Sequence, residues 1–303
     1  MDYSSLLSDI SAFLPEIELR RDEPMSEHCS FRVGGPAAVM ALPKSAEDTV
    51  VLCSLLRQAG IKPLIIGNGT NLLPPDEGLE RFVIATCPGV GWVGVNGRQV
   101  TADCGATLAA AAMTAANAGL TGLEFAHGIP GSVGGGVVMN AGAYGGELKD
   151  VVTLTEYLDE DLILRSVLGA EHEFSYRHSV FSDREAVVLR TTFTLAPGDR
   201  EEIQETMRAL AAKRRASQPL EMPSAGSTFK RPVGGYAAAL IDEAGLKGFS
   251  MGGAQVSEKH AGFVVNRGGA TAGDILRLME HIQQTVLART GIMLEPEVRV
   301  LGR

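Results

Sequence analysis

The side chains able to do chemistry fall into a few short runs. Tyr176-Arg-His-Ser-Val-Phe181 sets Arg177 among aromatic and apolar neighbours. A guanidinium there either faces a carboxylate or an enolate, or forms a surface ion pair. Pro223-Ser-Ala-Gly-Ser-Thr-Phe-Lys230 flanks Ser227 with small residues, so its hydroxyl is either open to a ligand or spent capping a turn. Leu294-Glu-Pro-Glu-Val-Arg-Val-Leu301 alternates with period two. That spacing puts Leu294, Val298 and Val300 on one face of a strand and Glu295, Glu297 and Arg299 on the other, a face that is either solvated or turned to a ligand. Lys213-Arg-Arg215 closes a helical stretch, where the charges either complement the helix dipole or bind phosphate.

Glycine is the second signal. The chain holds 36 glycines, clustered at 67–69, 128–136, 142–146, 226, 234–235, 245–253 and 268–269. Ile66-Gly-Asn-Gly-Thr-Asn-Leu72 directly follows an apolar run, and its bare backbone N–H groups with the Asn68, Thr70 and Asn71 side chains make either a nest for a pyrophosphate or a plain turn. His127-Gly-Ile-Pro-Gly-Ser-Val-Gly-Gly-Gly136 leads to Asn140-Ala-Gly-Ala-Tyr-Gly-Gly146. Interleaved Ile129, Pro130, Val133, Val137, Val138 and Met139 argue against a flexible linker, and a ligand lying along the main chain would explain so much glycine. Gly89-Val-Gly-Trp-Val-Gly94 fits GxGxxG but runs into a turn and a strand, so the helix that a dinucleotide fingerprint needs is missing.

The elements expected to position these runs are mixed. Ser45, with Asp48 in the capping-box position, opens a helix that stops at Gly60. A buried strand is expected over 62–66, with further strands over 81–86 and 98–103, and an alanine-rich helix over 107–118. Short strands follow over 151–158, 162–166 and 186–195, then a helix over 201–216, a short helix over 236–244, a strand over 261–266, the clearest helix over 271–290, and a strand over 297–301. The best boundary is Pro197-Gly198, which gives domains over 1–197 and 198–303.

Composition narrows the classes. With 45% hydrophobic and 21% charged residues, a full globular core is expected. A net charge of -9 disfavours nucleic acid as a partner, and any phosphorylated ligand must be held by local donors. Cys29, Cys53, Cys87 and Cys104 lack metal-site spacing and read as free buried thiols. The first residues do not resemble a signal peptide and no run is long enough to span a membrane, so a cytoplasmic protein without membrane insertion is expected.

Taken together and in this order, Phe31-Arg-Val-Gly-Gly-Pro36, Gly67-Asn-Gly-Thr-Asn-Leu-Leu73, the stretch from Gly122 to Gly135, Asn140-Ala-Gly-Ala-Tyr-Gly145, Tyr176-Arg-His-Ser179, Gln218-Pro-Leu220, Pro223-Ser-Ala-Gly-Ser227 and Leu294-Glu-Pro-Glu-Val298 resemble the UDP-N-acetylenolpyruvoylglucosamine reductase family. The resemblance implies an α+β chain: a vanillyl-alcohol-oxidase-type FAD-binding domain of two subdomains plus a C-terminal α/β substrate domain. It implies FAD as cofactor and NADPH as co-substrate. The reaction would be reduction of a UDP-sugar enolpyruvyl ether to UDP-N-acetylmuramate for peptidoglycan synthesis, and hence cell shape and division, by a monomer. Gly67, Asn68, Gly69, Thr70 and Asn71, then Gly128, Ile129, Pro130, Gly131, Ser132, Val133 and Gly134, with Asn140, Ala141 and Gly142 nearby, would line the FAD pyrophosphate. Ser227 would donate the proton, Arg177 and Glu297 would flank the enolpyruvyl group, Arg214 would meet the diphosphate, and Tyr144 and Lys230 would line the pocket. Pro74-Pro75 stands where a less rigid residue is usual, and the short stretch from 181 to 218 resembles a compact branch that lacks an extra tyrosine loop. Another flavin oxidase fits less well because of the Ser227 and Glu297 motifs, and a non-catalytic nucleotide binder would purify without a tightly held flavin.

Overall fold

A computed structural model describes residues 3–302. Its helices are α1 (Ser4–Phe13), α2 (Ala46–Gln58), α3 (Leu108–Asn117), α4 (Val133–Val138), α5 (Arg200–Ser217), α6 (Ala237–Glu243) and α7 (Ala272–Thr290). Among the described residues no helix is long and apolar enough to cross a membrane. The chain forms two compact units. One takes residues through Arg21, Val39–Asn68 and Arg81–Lys213; the other takes Asp22–Ala38, Gly69–Glu80 and the chain from Arg214 on. The second unit is thus assembled from three separate stretches.

In the first unit, a five-stranded antiparallel sheet runs in the order Leu164–Leu168, Val152–Leu158, Val187–Thr194, Gln99–Asp103, Val93–Asn96. α3 owes its close packing to alanine: Ala111, Ala112, Ala115 and Ala116 are buried, and Thr107 caps it by accepting from Ala110 N. A parallel pair, Leu64–Ile66 with Leu79–Ala85, lies in a four-stranded sheet with Pro36–Leu42 and Glu18–Pro24. The strand expected over 62–66 is shorter and only partly buried. The strand expected over 162–166 is displaced to Leu164–Leu168. Asp159 Oδ1 accepts from both Asp161 N and Ile163 N, which bends the chain into a turn with Leu162 at φ 58°. Ser45 caps α2 as expected, but the Asp48 carboxylate accepts from Lys44 N instead of closing the box on Ser45.

In the second unit, α7 buries Ile275, Leu278, Met279, Ile282 and Val286 against Phe31, Phe229, Val256, Val264, Leu294 and Val298. A three-stranded antiparallel sheet, Ser250–Met251, Ala254–Val256 and Val264–Asn266, packs on the same helix. The strand expected over 261–266 starts late because Phe263 N bonds back to His260 O in a turn. The strand expected over 297–301 is only Arg299–Val300, paired in parallel with Leu72–Leu73. α7 begins in a closed capping box, Thr271 with Asp274, and ends on Gly291 at φ 74°. Asp76 adds a second cap, its two oxygens accepting from Ala272 N and Gly273 N.

The four cysteines are free. Cys29, Cys53 and Cys104 are buried, and Cys87, against the expectation, is only half-buried. Burial pushes the Cys53 and Cys104 thiols up to about 12, which keeps both as inert thiols at neutral pH.

Asp274 offers a test of this end of the fold. Its carboxyl lies below the usual carboxylate range because Thr271 N and Gly253 N donate to it, with Arg277 beside it. A depressed carboxyl stabilises the fold fully above its unfolded value of 3.8 and stops doing so as pH falls through the folded value. Asp274→Asn is expected to cost about 1 kcal/mol, seen as a Tm lower by roughly 2–4 °C at pH 7. The difference from the parent protein should shrink as pH is lowered toward about 3.

Candidate active site

The two glycine-rich runs meet inside the first unit. Asn68 Nδ2 donates to Pro130 O. Gly67 lies so close to Ser132 that a Cβ at 67 would collide with Ser132 Oγ. A side chain at 67 would therefore drive the Ser132 hydroxyl from its place as the α4 cap. The second run is itself ordered by α4, a helix that its glycine content did not announce. Ser132 caps α4 through Gly135 N, Val133 N bonds Ala106 O at 2.7 Å, and Gly134 N bonds Cys104 O at 2.8 Å. The N–H groups of Val133 and Gly134 are thus already spent on the protein. Ile129 N is likewise spent on Ala126 O and Pro130 has no N–H, so Gly128, Gly131 and Ser132 are left as the residues of this run able to offer backbone donors to an anion. His127 Nδ1, at the start of the run, is buried without a hydrogen-bond partner. A glycine that admits no Cβ, converging polar side chains and an orphaned buried nitrogen fit a polar group lying along this stretch of chain. The Gly89–Gly94 run makes a turn and the strand Val93–Asn96 rather than a helix, as its sequence requires.

Arg177 belongs to the same unit. It stands at φ 56° in a tight turn in which Ser175 N and His178 N bond each other's carbonyls. Such a conformation costs a non-glycine residue on the order of 1–3 kcal/mol and persists only where the surroundings enforce it. Arg177 Nη2 donates to Gly142 O at 3.4 Å, and its guanidinium lies 5.1 Å from the centre of the Tyr176 ring. Tyr144 is the exposed tip of a hairpin, at φ 54°, between Gly142–Ala143 and Gly146–Glu147. Glu147 is held below the usual carboxylate range by the hydrogen bond from Lys149, with help from Asn140 and the charge of Arg177. Asn140 is fully buried, and its amide is engaged at both ends by the protein.

In the second unit the structure brings Ser227 and Glu297 together. Glu297 N bonds Thr228 O at 2.9 Å, so the two residues sit on neighbouring extended segments. The flanking bridges Ser227 with Phe263 and Phe229 with Pro296 fix the register. Thr228 is buried, with its Oγ1 accepting from Val264 N, while Ser227 is exposed beside Gly226, around which there is open space. Asn71 completes the arrangement: its Nδ2 donates to Glu297 O at 3.1 Å and its carbonyl accepts from Arg299 N. Gly69 is buried against the His28 carbonyl, which leaves no room for a Cβ, and accepts from Ser30 N. Thr70, between them, is half-buried.

The alternating face at 294–300 is resolved into two roles. Glu295 is exposed and pairs with Lys230, whose ammonium is thereby directed to a surface carboxylate. Glu297 is half-buried beside Ser227's segment. Arg214 lies half-buried in the last turn of α5. The sequence reading missed His127, although it begins the very run that was singled out; an imidazole next to Gly128 was the available signal. It also missed Asp76 as a cap, since nothing local links residue 76 to a helix that begins near 272.

Comparison with known proteins identifies the family. Residues 218–301 match the family described as UDP-N-acetylenolpyruvoylglucosamine reductase, C-terminal domain, and residues 36–161 match the FAD binding domain family. A UDP-N-acetylenolpyruvoylglucosamine reductase from Caldanaerobacter subterraneus subsp. tengcongensis is 47% identical over 297 residues, covering 98% of each chain. One from Latilactobacillus sakei subsp. sakei is 46% identical over 98% of this chain and 99% of its own. The crystal structure of UDP-N-acetylenolpyruvylglucosamine reductase from Thermus caldophilus superimposes with a TM-score of 0.78 at 33% identity, over 94% of this chain and 98% of that one. An alkyldihydroxyacetonephosphate synthase, 14% identical, superimposes with a TM-score of 0.52 over 65% of this chain and 44% of its own, which speaks for the fold alone. The architecture is α+β, with an FAD-binding domain of the vanillyl-alcohol-oxidase type. On identity sustained along almost the entire length of both chains, this chain belongs to the UDP-N-acetylenolpyruvoylglucosamine reductase family.

Proposed function

We propose that this chain reduces the enolpyruvyl ether of UDP-N-acetylglucosamine to UDP-N-acetylmuramate, with FAD as its bound cofactor and NADPH as the electron donor. The observation that carries the assignment of residues is the pairing of the Ser227 and Glu297 segments through Thr228 O and Glu297 N. The converging 67–68 and 130–132 stretches fit the cofactor's pyrophosphate, with Gly128, Gly131 and Ser132 as the donors and Ala141 and Gly142 beyond them. When bound there, FAD would supply the hydride chemistry at the substrate's terminal methylene carbon.

The protein's own groups manage the charge and the proton. Arg177 balances the negative charge that grows on the substrate's carboxylate, which a fixed guanidinium does without reorganising in the transition state. Ser227 Oγ delivers a proton to the carbon next to that carboxylate. A serine hydroxyl is a weak acid, so Glu297, on the neighbouring segment, positions it or acts as a second acid. Arg214 meets the substrate diphosphate, and Tyr144 and Lys230 line the substrate's path. The chain works as a monomer in the cytoplasm, where this precursor of peptidoglycan is made.

The reading is tested on the pure protein. It should be yellow, should bleach with NADPH in the absence of air, and should regain colour when the enolpyruvyl sugar nucleotide is added. A colourless protein, or a reduced one that responds to oxygen and ignores the sugar nucleotide, would falsify it. Ser227→Ala should keep its flavin and its reduction by NADPH, and should lose about 10²–10⁴ in the rate of the second half-reaction. Gly67→Ala should weaken flavin retention, and adding Ser132→Gly should restore part of it, because the collision lies between the new methyl group and that hydroxyl.

A further inference from the structure

The turn that carries Arg177 is clamped at both ends by one short stretch of chain, the exit from α4. At the near end, Asn140 Nδ2 donates to Ser175 O at 2.9 Å. At the far end, Ser179 Oγ and Ser182 Oγ each donate to Val138 O at 2.8 Å, taking up a carbonyl of the last turn of α4. Asn140 is itself immobilised. It is fully buried, its Nδ2 also donates to Glu147 Oε2 at 3.0 Å, and its Oδ1 accepts from Lys149 N at 2.9 Å. With two N–H groups and one oxygen all engaged inside the protein, the amide has no donor left for a ligand. Asn140 and Arg177 both stand at positive φ, 44° and 56°. The strained backbone at 177 is therefore held by a second strained residue, two positions beyond the helix.

We propose that Asn140 is a positioning residue for Arg177 rather than a cofactor ligand, and that the end of α4 is the mount on which the Arg177 turn is fixed. The inference rests on the assignment of Arg177 to the substrate's carboxylate made above. α4 rises about 1.5 Å per residue over its 6 residues, so Ser132 at one end, beside Gly67, and the Arg177 clamp at the other are kept at a fixed spacing by one short helix. A misplacement of about 1 Å at a reacting centre is enough to cost on the order of 10²-fold in rate. The clamp therefore matters to the reaction without touching substrate.

The test uses the full-length flavoprotein and the variants Asn140→Ser, Ser179→Ala and Arg177→Ala, with each clamp variant also made in the Arg177→Ala background. Asn140→Ser and Ser179→Ala should keep their flavin content and visible spectrum, be reduced by NADPH at a rate within about twofold of the parent, and transfer to the enolpyruvyl sugar about 10- to 100-fold more slowly. In the Arg177→Ala background neither change should slow transfer further, since residues acting through one group are not additive. Equal losses in both backgrounds, parent-like transfer in the clamp variants, or a folded Asn140→Ser protein that has shed its flavin would overturn the proposal alone. Parent-like transfer by Arg177→Ala would overturn the assignment of Arg177 and this inference with it. Should Asn140→Ser fail to fold, Ser179→Ala carries the same expectations from the other end of the turn.

Discussion

Much of the second unit depends on how the backbone of Glu297 is held. Its N–H is bonded to Thr228 O and its carbonyl to Asn71 Nδ2, so three stretches distant in sequence are laced through one residue. Each bond is worth only about 1 kcal/mol net, but a backbone group left unpaired in a buried place costs more than that. Asn71 cannot leave without exposing that cost, and Ser227 cannot shift register without breaking its bridge to Phe263. The α7 core beneath, closed by Phe229, Leu294 and Val298, fixes the same segments from the apolar side. A hydroxyl and a carboxylate that could each pass for ordinary surface groups are in this way set in mutual register.

In the first unit the corresponding constraint is steric. Gly67 and Ser132 approach so closely that a side chain at 67 would displace the Ser132 hydroxyl, and the Asn68 amide bonds Pro130 O beside that contact. Ser132 also caps α4, whose three glycines make it a poor helix on propensity alone. Tertiary bonds compensate: Val133 N and Gly134 N are fixed on the 104–106 segment, and Gly136 packs against Leu108 and Leu148, on both of which a methyl group would press. The same glycines that read as room for a ligand are in part room for the protein's own chain.

The sequence was legible where its signals were local. The α7 helix could be read from its apolar spacing and Gly291, and the α3 helix from its alanines and Gly119. The motifs around Arg177, Ser227 and Glu297 could be read as candidates, and their order pointed to the family. What was not legible was non-local or dictated by packing. The pairing of Leu72–Leu73 with Arg299–Val300 leaves no trace in either dipeptide, and a two-residue strand offers no periodicity to detect. α4 was hidden because glycine is the weakest evidence for a helix. The difference between Glu295 and Glu297 was hidden because alternation puts both on one face; only the Lys230 pairing and the Thr228 bond tell them apart. The side chain of Asn140 reads as a ligand donor in a glycine-rich motif, yet burial and three internal bonds engage it.

The parallel pairing of Leu72–Leu73 with Arg299–Val300 also bears on how the chain comes into being. During synthesis the earlier dipeptide leaves the ribosome long before its partner exists, so Leu72–Leu73 must wait, unpaired, while the first unit can already close. Long-range pairing of this kind is slow and leaves apolar edges uncovered in the interim. A nascent or prematurely terminated chain that stops short of Glu297 would carry a finished first unit and an Asn71 amide without its Glu297 carbonyl. Chaperone engagement is therefore expected to concentrate on the interval between completion of the first unit and arrival of that final pairing strand.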